Sequence, residues 1–484
     1  MSNLSDLLPA GAGGKQVDFV ASGTLPSGQT VGLKTNGQIE VVGLTTASET
    51  LAAQVDIPNS GSANTRVAFV GNNQFVMAFY NTNKQACVGT ITGTSIVFNT
   101  ATQFDSGGNV TDSVSSTATG SATIFYRNAA GTRAAKVAIV SGTGASATLA
   151  YGTEAVMSNL VGVANSASIG GGRILVTVLS SSSSPSPGTT IIATVSGNSV
   201  TFGGSNFPFT SGYQAQNATI TRLADDKALI VWRKNASDDN FIAVATVSGN
   251  SVTYGADNSF LVNYTAGNYM NLAAASSTEG IVVYNDGSNN AYGAARSFTI
   301  SGATLTFGTK NVFSSNSATI YNSVSAAGTT TSGAAVYAIA YRASSPGYVK
   351  SATVSSNAIT YGSALQLSSY INAADTAPAS DGKVIAAYVD RSRSYPNSYL
   401  PSARMYQGAV GVTNSSSFVG ITDAAIANSA TGSVTVKGGI ATLTGGTYAV
   451  TVANPGAGNR YYINGVLQQT LNLREGFTYK FDQS

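Results

Sequence analysis

Few residues of this 484-residue chain could take part in acid–base or nucleophilic chemistry. The chain has no histidine and one cysteine, Cys87, which excludes catalytic arrangements that pair serine or cysteine with histidine. Two carboxylates could in principle act as the acid and base of a glycosidase. The candidates are Asp225, Asp226, Asp238, Asp239, Asp286, Asp390 and Glu475. Asp225, Asp226 and Asp286 fall in predicted turns, where aspartate is favoured because it bonds to the local backbone. We therefore predict no enzyme and no catalytic residues.

One short acidic segment could be considered for calcium. Residues 237–240 read Ser-Asp-Asp-Asn, but they lack the alternating order of acidic ligands and the downstream bidentate glutamate of a calcium loop. A solvated loop is the better interpretation. The lack of histidine also removes the histidine-based metal sites, so we predict no metal and no cofactor.

A recurring pair of an aromatic residue and an arginine is the best candidate for a binding surface. Such pairs occur at residues 126–127, 232–233 and 341–342, and Tyr284 takes the aromatic position once more. Rings and cations on one face of the protein could contact a glycan. Alternatively, the rings pack between repeated units and each arginine lies at a strand end. We favour this second interpretation. The candidate contacts for a glycan or partner are Tyr126, Arg127, Trp232, Arg233, Tyr284, Tyr341 and Arg342.

The elements that must position these residues are strands. Charged residues make up 9% of the chain and hydrophobic residues 43%, with many glycine, serine, threonine and valine residues, which favours strands joined by polar turns. The 23 tyrosines and 18 phenylalanines supply the apolar area that a folded chain needs. The net charge of +3 is scattered, and no apolar run approaches the roughly 20 residues that cross a bilayer. We therefore predict neither a nucleic-acid partner nor membrane insertion.

A repeated pair of strands around a glycine or asparagine turn is the strongest pattern in the sequence. In residues 244–255, VATVSGNSVTYG, apolar and small polar residues alternate on both sides of Ser-Gly-Asn, which predicts an antiparallel hairpin. Each hairpin is preceded by a strand that usually ends in an aromatic residue. An alanine- and serine-rich segment precedes that strand. The hairpins occupy residues 88–99, 137–152, 192–203, 244–255, 297–308 and 351–362, so their ends are 53, 51, 52, 53 and 54 residues apart.

Four strands in about fifty residues are typical of one blade of a β-propeller. Seven upstream strands indicate seven blades, and the seventh blade lacks its outer hairpin. We predict an all-β fold with a seven-bladed β-propeller over residues 31–407. Its closing strand is predicted at residues 31–42, where a Thr-Asn-Gly turn is followed by Ile-Glu-Val-Val. A β-helix is the alternative fold, although its repeats are usually shorter.

Segments at both ends lie outside the repeat. We predict an N-terminal arm at residues 1–30, a small β module at residues 408–446 and a C-terminal β module at residues 447–484, with a hairpin turn at Asn464 and Gly465. The sequence stops in strand-like residues, so we expect the native chain to continue past Ser484. Residues 180–190, rich in serine and proline, are predicted to be a loop of blade three that is either a flexible insertion or a partner contact.

Three of these segments resemble virion proteins of tailed bacteriophages. Residues 418–440, FVGITDAAIANSATGSVTVKGGI, resemble segments that recur in structural proteins of phages of marine bacteria and cyanobacteria. Residues 461–484 resemble a β module of large phage structural proteins, and residues 4–16 resemble their N-terminal arms. The resemblance implies a place in the phage particle, in its tail, with other virion proteins or copies of the chain as partners. The first 14 residues also lack a secretory signal, as expected of a protein that leaves the cell in a particle.

The sequence leaves three functions open. The leading one is a tail-associated structural component whose propeller is a rigid platform for assembly or host contact. The second is a tail fibre protein that binds a host receptor or surface glycan, and the third is a capsid fibre or decoration protein. Exposed aromatic rings on one face would favour the second function, whereas rings buried between blades would favour the first.

Overall fold

The structure, a computed structural model, describes most of residues 15–482. The residues it leaves out are 1–14, 26, 28–29, 34–36, 42–43, 47–48, 58–63, 81–82, 108–110, 158–163, 180–186, 236, 238, 262–268, 316–317, 331–333, 381, 393–398, 409, 413–417, 423, 437–443, 454–459, 464–465, 468–477 and 483–484. The predicted turn at residues 464–465, most of the predicted loop at residues 180–190, and Asp238 and Glu475 therefore lie outside the described residues. The chain divides into two compact units, residues 44–411 and residues 1–43 with 412–484.

Residues 44–411 form a seven-bladed β-propeller, which confirms the predicted fold class. Each blade is an antiparallel sheet of four strands, and a short fifth strand also pairs with the third. The first strands of the seven blades contact one another in a closed ring and are therefore innermost. The helical segments of the described residues are two 3-10 turns, Gly144–Ser146 and Gly287–Asn289, and neither could span a membrane.

The blades follow one another along the chain, and the strands of each blade are ordered from the innermost outwards. Blades 1 to 3 contain Asn64–Gly71, Gln74–Tyr80, Lys84–Thr92, Ser95–Phe98 and Thr102–Asp105; Thr111–Ala118, Ser121–Arg127, Arg133–Ser141, Thr148–Tyr151 and Ala155–Val156; and Ala164–Ser168, Arg173–Val178, Thr189–Ser196, Ser199–Phe202 and Phe207–Pro208. Blades 4 and 5 contain Ala215–Ala224, Lys227–Lys234, Asn240–Ser248, Ser251–Tyr254 and Asn258–Leu261; and Asn271–Ala274, Glu279–Asp286, Tyr292–Ser301, Thr304–Phe307 and Asn311–Ser314. Blades 6 and 7 contain Thr319–Thr329, Ala335–Ala343, Gly347–Ser355, Ala358–Tyr361 and Leu365–Ser368; and Ile371–Pro378, Lys383–Asp390, Leu400–Gln407, Thr50–Leu51 and Val55–Asp56.

The repeated hairpin forms because its turn residues accept a left-handed backbone. In blade 4, Ser248 pairs with Ser251 and the intervening Gly249 has a φ of +56°, a region that favours glycine. Blade 6 uses Ser356 and Asn357 at the same turn, with φ values of +49° and +63°. Asparagine tolerates this region better than most residues, so the turn is kept without glycine.

Seven hydrophobic clusters stabilise the ring, one between each pair of neighbouring blades. The cluster between blades 3 and 4 joins Leu175 and Ile192 to Ile230 and Trp232, and all four side chains are buried. The core is thus distributed around the ring, which explains how a chain of this length avoids one oversized core. Each blade depends on both of its neighbours.

The ring is closed by an N-terminal segment, as predicted, but the predicted position of that segment is wrong. Thr50–Leu51 and Val55–Asp56 pair with Leu400–Gln407 and complete blade 7. The strands Thr30–Leu33 and Ile39–Val41, which overlap the predicted closing segment 31–42, instead pair with each other in the other unit. The hairpin pattern of residues 31–42 fits any sheet edge, so the pattern could not specify which edge it joins.

Side chains of the closing segment bond to buried groups of blade 7. The Gln54 side chain donates to a carboxylate oxygen of Asp390 at 2.7 Å and accepts from the hydroxyl of Tyr388 at 2.9 Å. The hydroxyl of Ser402 donates to Asp56 at 2.8 Å. These bonds fix the closing segment to the second and third strands of blade 7. We call Gln54, Asp56, Tyr388, Asp390 and Ser402 the closing network.

We expect the closing network to weaken in acid. Burial raises the pKa of Asp390, but hydrogen bonds from Gln54, Ser392 and Ser368 outweigh it, and the net effect is a lowered pKa. A carboxyl whose pKa is lower in the folded than in the unfolded protein stabilises the fold at pH values above its unfolded-state pKa of about 3.9. This stability is lost as the pH falls through the pKa of the folded state. Hydrogen exchange of residues 50–56 should therefore accelerate below about pH 4 more than exchange of the outer strands of the other blades. Equal acceleration in all blades would contradict this.

The second unit contains two sheets. A five-stranded sheet has the order Lys15–Val20, Thr431–Val436, Phe418–Thr422, Thr30–Leu33 and Ile39–Val41. A four-stranded sheet has the order Val466–Leu467, Arg460–Ile463, Thr444–Ala453 and Thr478–Asp482, whose last pair is parallel. A two-stranded sheet of Leu44–Thr46 and Val410–Val412 lies at the two ends of the propeller unit, residues 44–411. Strands from the predicted N-terminal arm and from the predicted module at residues 408–446 thus share one sheet.

Cys87 is buried in the core between blades 7 and 1. Burial strongly raises the pKa of its thiol, so the reactive thiolate is disfavoured. We expect a thiol reagent to label the native protein at least about a hundredfold more slowly than the protein in denaturant, which corresponds to a local opening free energy of about 3 kcal/mol. Labelling of the native protein at the denatured rate would contradict the burial.

Candidate functional site

The four aromatic residues considered from the sequence lie in the clusters between blades. Their rings are at most 3% exposed. Each ring contacts a phenylalanine at the outer edge of the preceding blade, with centroids 5.1 to 5.6 Å apart. The pairs are Tyr126 with Phe104, Trp232 with Phe209, Tyr284 with Phe260 and Tyr341 with Phe313. A buried ring has no free face for a sugar, so this arrangement favours the platform interpretation.

The three arginines that follow these rings have different surroundings. Arg127 is exposed and donates to the carbonyl of Gly131 at 2.9 Å. Arg233 is half-buried and donates to the side chain of Gln216. Arg342 is half-buried and lies over the rings of two tyrosines near the channel of the propeller. The structure does not bring the predicted aromatic–arginine pairs together into one site.

A cavity of about 730 Å³ lies along the axis of the propeller and is lined by the inner strands of all seven blades. Its wall presents polar and apolar surface in similar amounts. Six blades each contribute an asparagine to the lining, namely Asn64, Asn165, Asn217, Asn271, Asn322 and Asn372. A second cavity of about 290 Å³, lined by alanine, serine and Arg222 among others, shares four lining residues with the first, namely Thr221, Val324, Ser325 and Pro378. Together they form the central channel.

Several polar groups of the inner strands bond to a neighbouring blade. The side chain of Asn165 donates to the carbonyl of Ala218 at 2.7 Å, and the hydroxyls of Ser323 and Thr376 lie 2.9 Å apart. Further bonds of this kind join Ser113 to Ser166, Thr219 to Met270, Asn322 to Tyr269 and Arg66 to Asp112. The polar residues of the channel therefore hold the blades together, which explains much of the recurrence of asparagine without a ligand.

Asp375 carries a carboxylate at the wall of the channel. It accepts the backbone N–H of Val67 at 3.0 Å and so links blade 7 to blade 1. Burial raises its pKa, and the nearby Arg66 and hydrogen bonds from Val67, Thr376 and Ser323 partly offset that rise. The carboxyl group of Asp375 thus serves the ring junction.

Three tyrosines and two arginines stack beside the channel on the face where the inner strands begin. Tyr269 and Tyr321 line the channel, with centroids 5.3 Å apart. The Arg342 guanidinium lies 5.2 Å from the Tyr321 ring and 5.6 Å from the Tyr370 ring. Arg391 lies 4.8 Å from the Tyr370 ring and continues the stack.

The outer end of the stack is exposed. Arg391 lies 4.1 Å from the ring centroid of Tyr399, donates to the Tyr399 hydroxyl, and donates to the Tyr370 hydroxyl at 3.1 Å. The Tyr399 side chain is 36% exposed. We call this set the tyrosine–arginine stack; its members are Tyr269, Tyr321, Arg342, Tyr370, Arg391 and Tyr399.

Two rings of the stack are held on a strained backbone. Tyr321 has a φ of +55° and Tyr399 a φ of +72°, values that are uncommon for a bulky side chain. In blade 4 the corresponding bulge of the inner strand carries Asn217, with a φ of +51°, and asparagine accepts this region more readily. Such outliers persist where the surrounding structure imposes them, and they are often found at functional sites.

Sequence reasoning named Arg342 but missed the other members of the stack. A signal was present, since Tyr269, Tyr321 and Tyr370 recur at intervals of 52 and 49 residues near the start of inner strands. Arg342 and Arg391 are likewise 49 residues apart, at the ends of second strands. In an antiparallel blade the start of the first strand and the end of the second lie on the same face.

The carboxylates considered for catalysis have structural partners. Asp226 forms an ion pair with Arg173, and Asp225 forms one with Arg222. Asp286 is paired with Lys310 at 2.6 Å, and Asp390 belongs to the closing network. These four carboxylates thus have partners within the blades, and Asp239 accepts from the hydroxyl of Ser237 at 2.6 Å.

No family model matches the chain, and no curated protein matches it. Among the solved structures that resemble it is a prolyl endopeptidase, 12% identical with a TM-score of 0.42, over 68% of this chain and 45% of that one. AofleA from Arthrobotrys oligospora is 6% identical with a TM-score of 0.42, and the match covers 71% of this chain and 95% of that one. A protein from Lactobacillus plantarum is 12% identical with a TM-score of 0.44, over 72% and 96%. Similarity this low carries no argument about function, so the absence of enzymatic activity stays a prediction.

Proposed function

We propose that this protein is a non-enzymatic structural component of a tailed phage particle, associated with the tail, in which the propeller is a rigid platform for assembly or host contact. The observation that supports the platform is the closed ring, with a hydrophobic cluster at every junction and a closing network at the last blade. The place in a phage particle is supported by the resemblance of residues 418–440, 461–484 and 4–16 to phage virion proteins.

A second candidate function is attachment to a receptor or glycan of the host. The tyrosine–arginine stack favours it, because aromatic faces and guanidinium groups lie together beside the channel and reach solvent at Tyr399. The two functions are compatible, since a rigid ring can present such a surface while other segments dock to the particle.

Mass spectrometry of purified particles of the phage that encodes the chain tests the leading proposal. We expect peptides of the whole chain at a copy number fixed relative to the known tail proteins. Particles washed at high salt should keep the protein, because an assembled component is held by buried contacts rather than by surface charge. Loss of the protein from washed particles would contradict the proposal.

A further inference from the structure

Among the described residues, neither arginine of the tyrosine–arginine stack has a carboxylate partner, a property that they share with some other arginines of the propeller, such as Arg296. Arg133, Arg173 and Arg222 each form an ion pair with an aspartate. Arg342 instead donates to the carbonyl of Ile371 at 3.1 Å, and its buried Nε atom has no hydrogen-bond partner. Arg391 bonds to phenol hydroxyls. Within the part of the chain that the structure describes, this face therefore holds two positive charges that no ion pair neutralises.

The nearest acid in sequence does not change this. The carboxylate of Asp390 accepts bonds from the hydroxyls of Ser368 and Ser392, both at 2.7 Å, and from Gln54. The oxygens of Asp390 therefore already accept hydrogen bonds from the closing network and from residues near it in sequence. The two guanidinium groups keep their charge, because arginine does not deprotonate in proteins.

Both guanidinium groups lie on the ring of Tyr370, at 5.6 and 4.8 Å from its centroid, so one short oligosaccharide can reach both. The planar fork of arginine matches the two oxygens of a carboxylate. Tyrosine rings offer flat apolar contact area with a hydroxyl at the rim, which suits the alternation of C–H and O–H groups on a sugar. The side chain of Asn372, which accepts from the hydroxyl of Tyr321 at 3.5 Å, adds a neutral polar group.

We propose that the tyrosine–arginine stack is a binding site for carboxylate-bearing sugars, the uronic and sialic acids of surface polysaccharides. Carboxylate groups of the oligosaccharide bond to Arg391 and Arg342, and a sugar ring packs on the exposed ring of Tyr399. This inference rests on the binding role proposed for the propeller face, and it does not depend on where the chain is placed in a particle. The site is formed by blades 5, 6 and 7, so it occurs once per chain despite the repeats.

The test is calorimetric titration of the full chain with trigalacturonic acid, its methyl ester and 3′-sialyllactose. We expect at least one of the two acidic probes to bind with a dissociation constant below about 1 mM, and the methyl ester to bind at least about tenfold more weakly. Binding of neither acid at about 10 mM, or equal binding of the acid and its ester, would overturn the proposal.

Variants locate the site. Arg391→Gln should weaken binding about tenfold or more, and Tyr399→Ala should also weaken it, while the emission of the buried Trp232 shows that both variants are folded. Arg222→Gln is the matched control, because Arg222 lines the second cavity of the same channel but is paired with Asp225. An unchanged affinity in both stack variants would overturn the proposal. Absence of the chain from particles would instead overturn its proposed place in the virion and leave the sugar site standing.

Discussion

Replacing Trp232 with alanine is expected to lower the free energy of unfolding by about 3–5 kcal/mol. The side chain is fully buried between blades 3 and 4, stacks on Phe241 at 5.8 Å and contacts Phe209 at 5.2 Å. Its indole N–H donates to the hydroxyl of Tyr213 at 3.3 Å. Truncation to alanine leaves a cavity between the two blades. The blades are held in place by their own strands, so the side chains that line the cavity lose van der Waals contacts and gain none.

The measurement is denaturant unfolding followed by circular dichroism, which does not need the indole that the variant lacks. Trp232→Phe is the control, since it keeps most of the ring area and should cost less than about 2 kcal/mol. A loss below about 1 kcal/mol for Trp232→Ala would contradict the assignment of this ring to the core and reopen its role as a surface contact.

Replacing Asp390 with alanine is expected to cost about 2–4 kcal/mol, because the buried Ser368, the half-buried Gln54 and the exposed Ser392 all lose the buried carboxylate as their acceptor. The effect should be local as well as global. Amide exchange of residues 50–56, which complete blade 7, should accelerate in the variant while exchange of the outer strand of blade 4, Ser251–Tyr254, changes little.

Asp225→Ala is the matched control for this prediction. Asp225 is an exposed aspartate paired with Arg222 on the surface, and its loss should cost less than about 0.5 kcal/mol. If Asp390→Ala is no more costly than Asp225→Ala, or if exchange in residues 50–56 does not change, the closing network does not hold the ring together.

The repeated hairpins could be predicted because they depend on local chemistry. Alternation of apolar and polar residues specifies a strand, and Ser-Gly-Asn supplies a residue that accepts a positive φ at the turn. The spacing of the hairpins specifies the length of one blade, and the seven upstream strands specify the number of blades. The observed pairing of Asn240–Ser248 with Ser251–Tyr254 follows directly from this pattern.

The closing strands could not be found in the same way. Thr50–Leu51 and Val55–Asp56 are two residues each, too short to show any period. Their position depends on the free edge of Leu400–Gln407, which lies about 350 residues further along the chain. Residues 31–42 show a clearer hairpin pattern, and that pattern was mistaken for the closure.

The tyrosine–arginine stack shows a second limit of prediction from sequence. Each member follows from a strand end that the repeats predict, but contact among them requires blades 5, 6 and 7 to lie side by side at a set angle. The aromatic–arginine pairs looked like a site because the two residues are adjacent in sequence. Neighbours along a strand point to opposite sides, so the ring of Tyr341 enters the core while Arg342 joins the surface stack.

An averaged density map of intact particles tests the central claim of a tail-associated platform most directly. We expect a seven-bladed ring at the tail, with residues 44–411 fitting the density and the stacked face of blades 5 to 7 directed away from the particle axis. A ring on the capsid would indicate a decoration protein instead, and particles without density for the ring would contradict the claim.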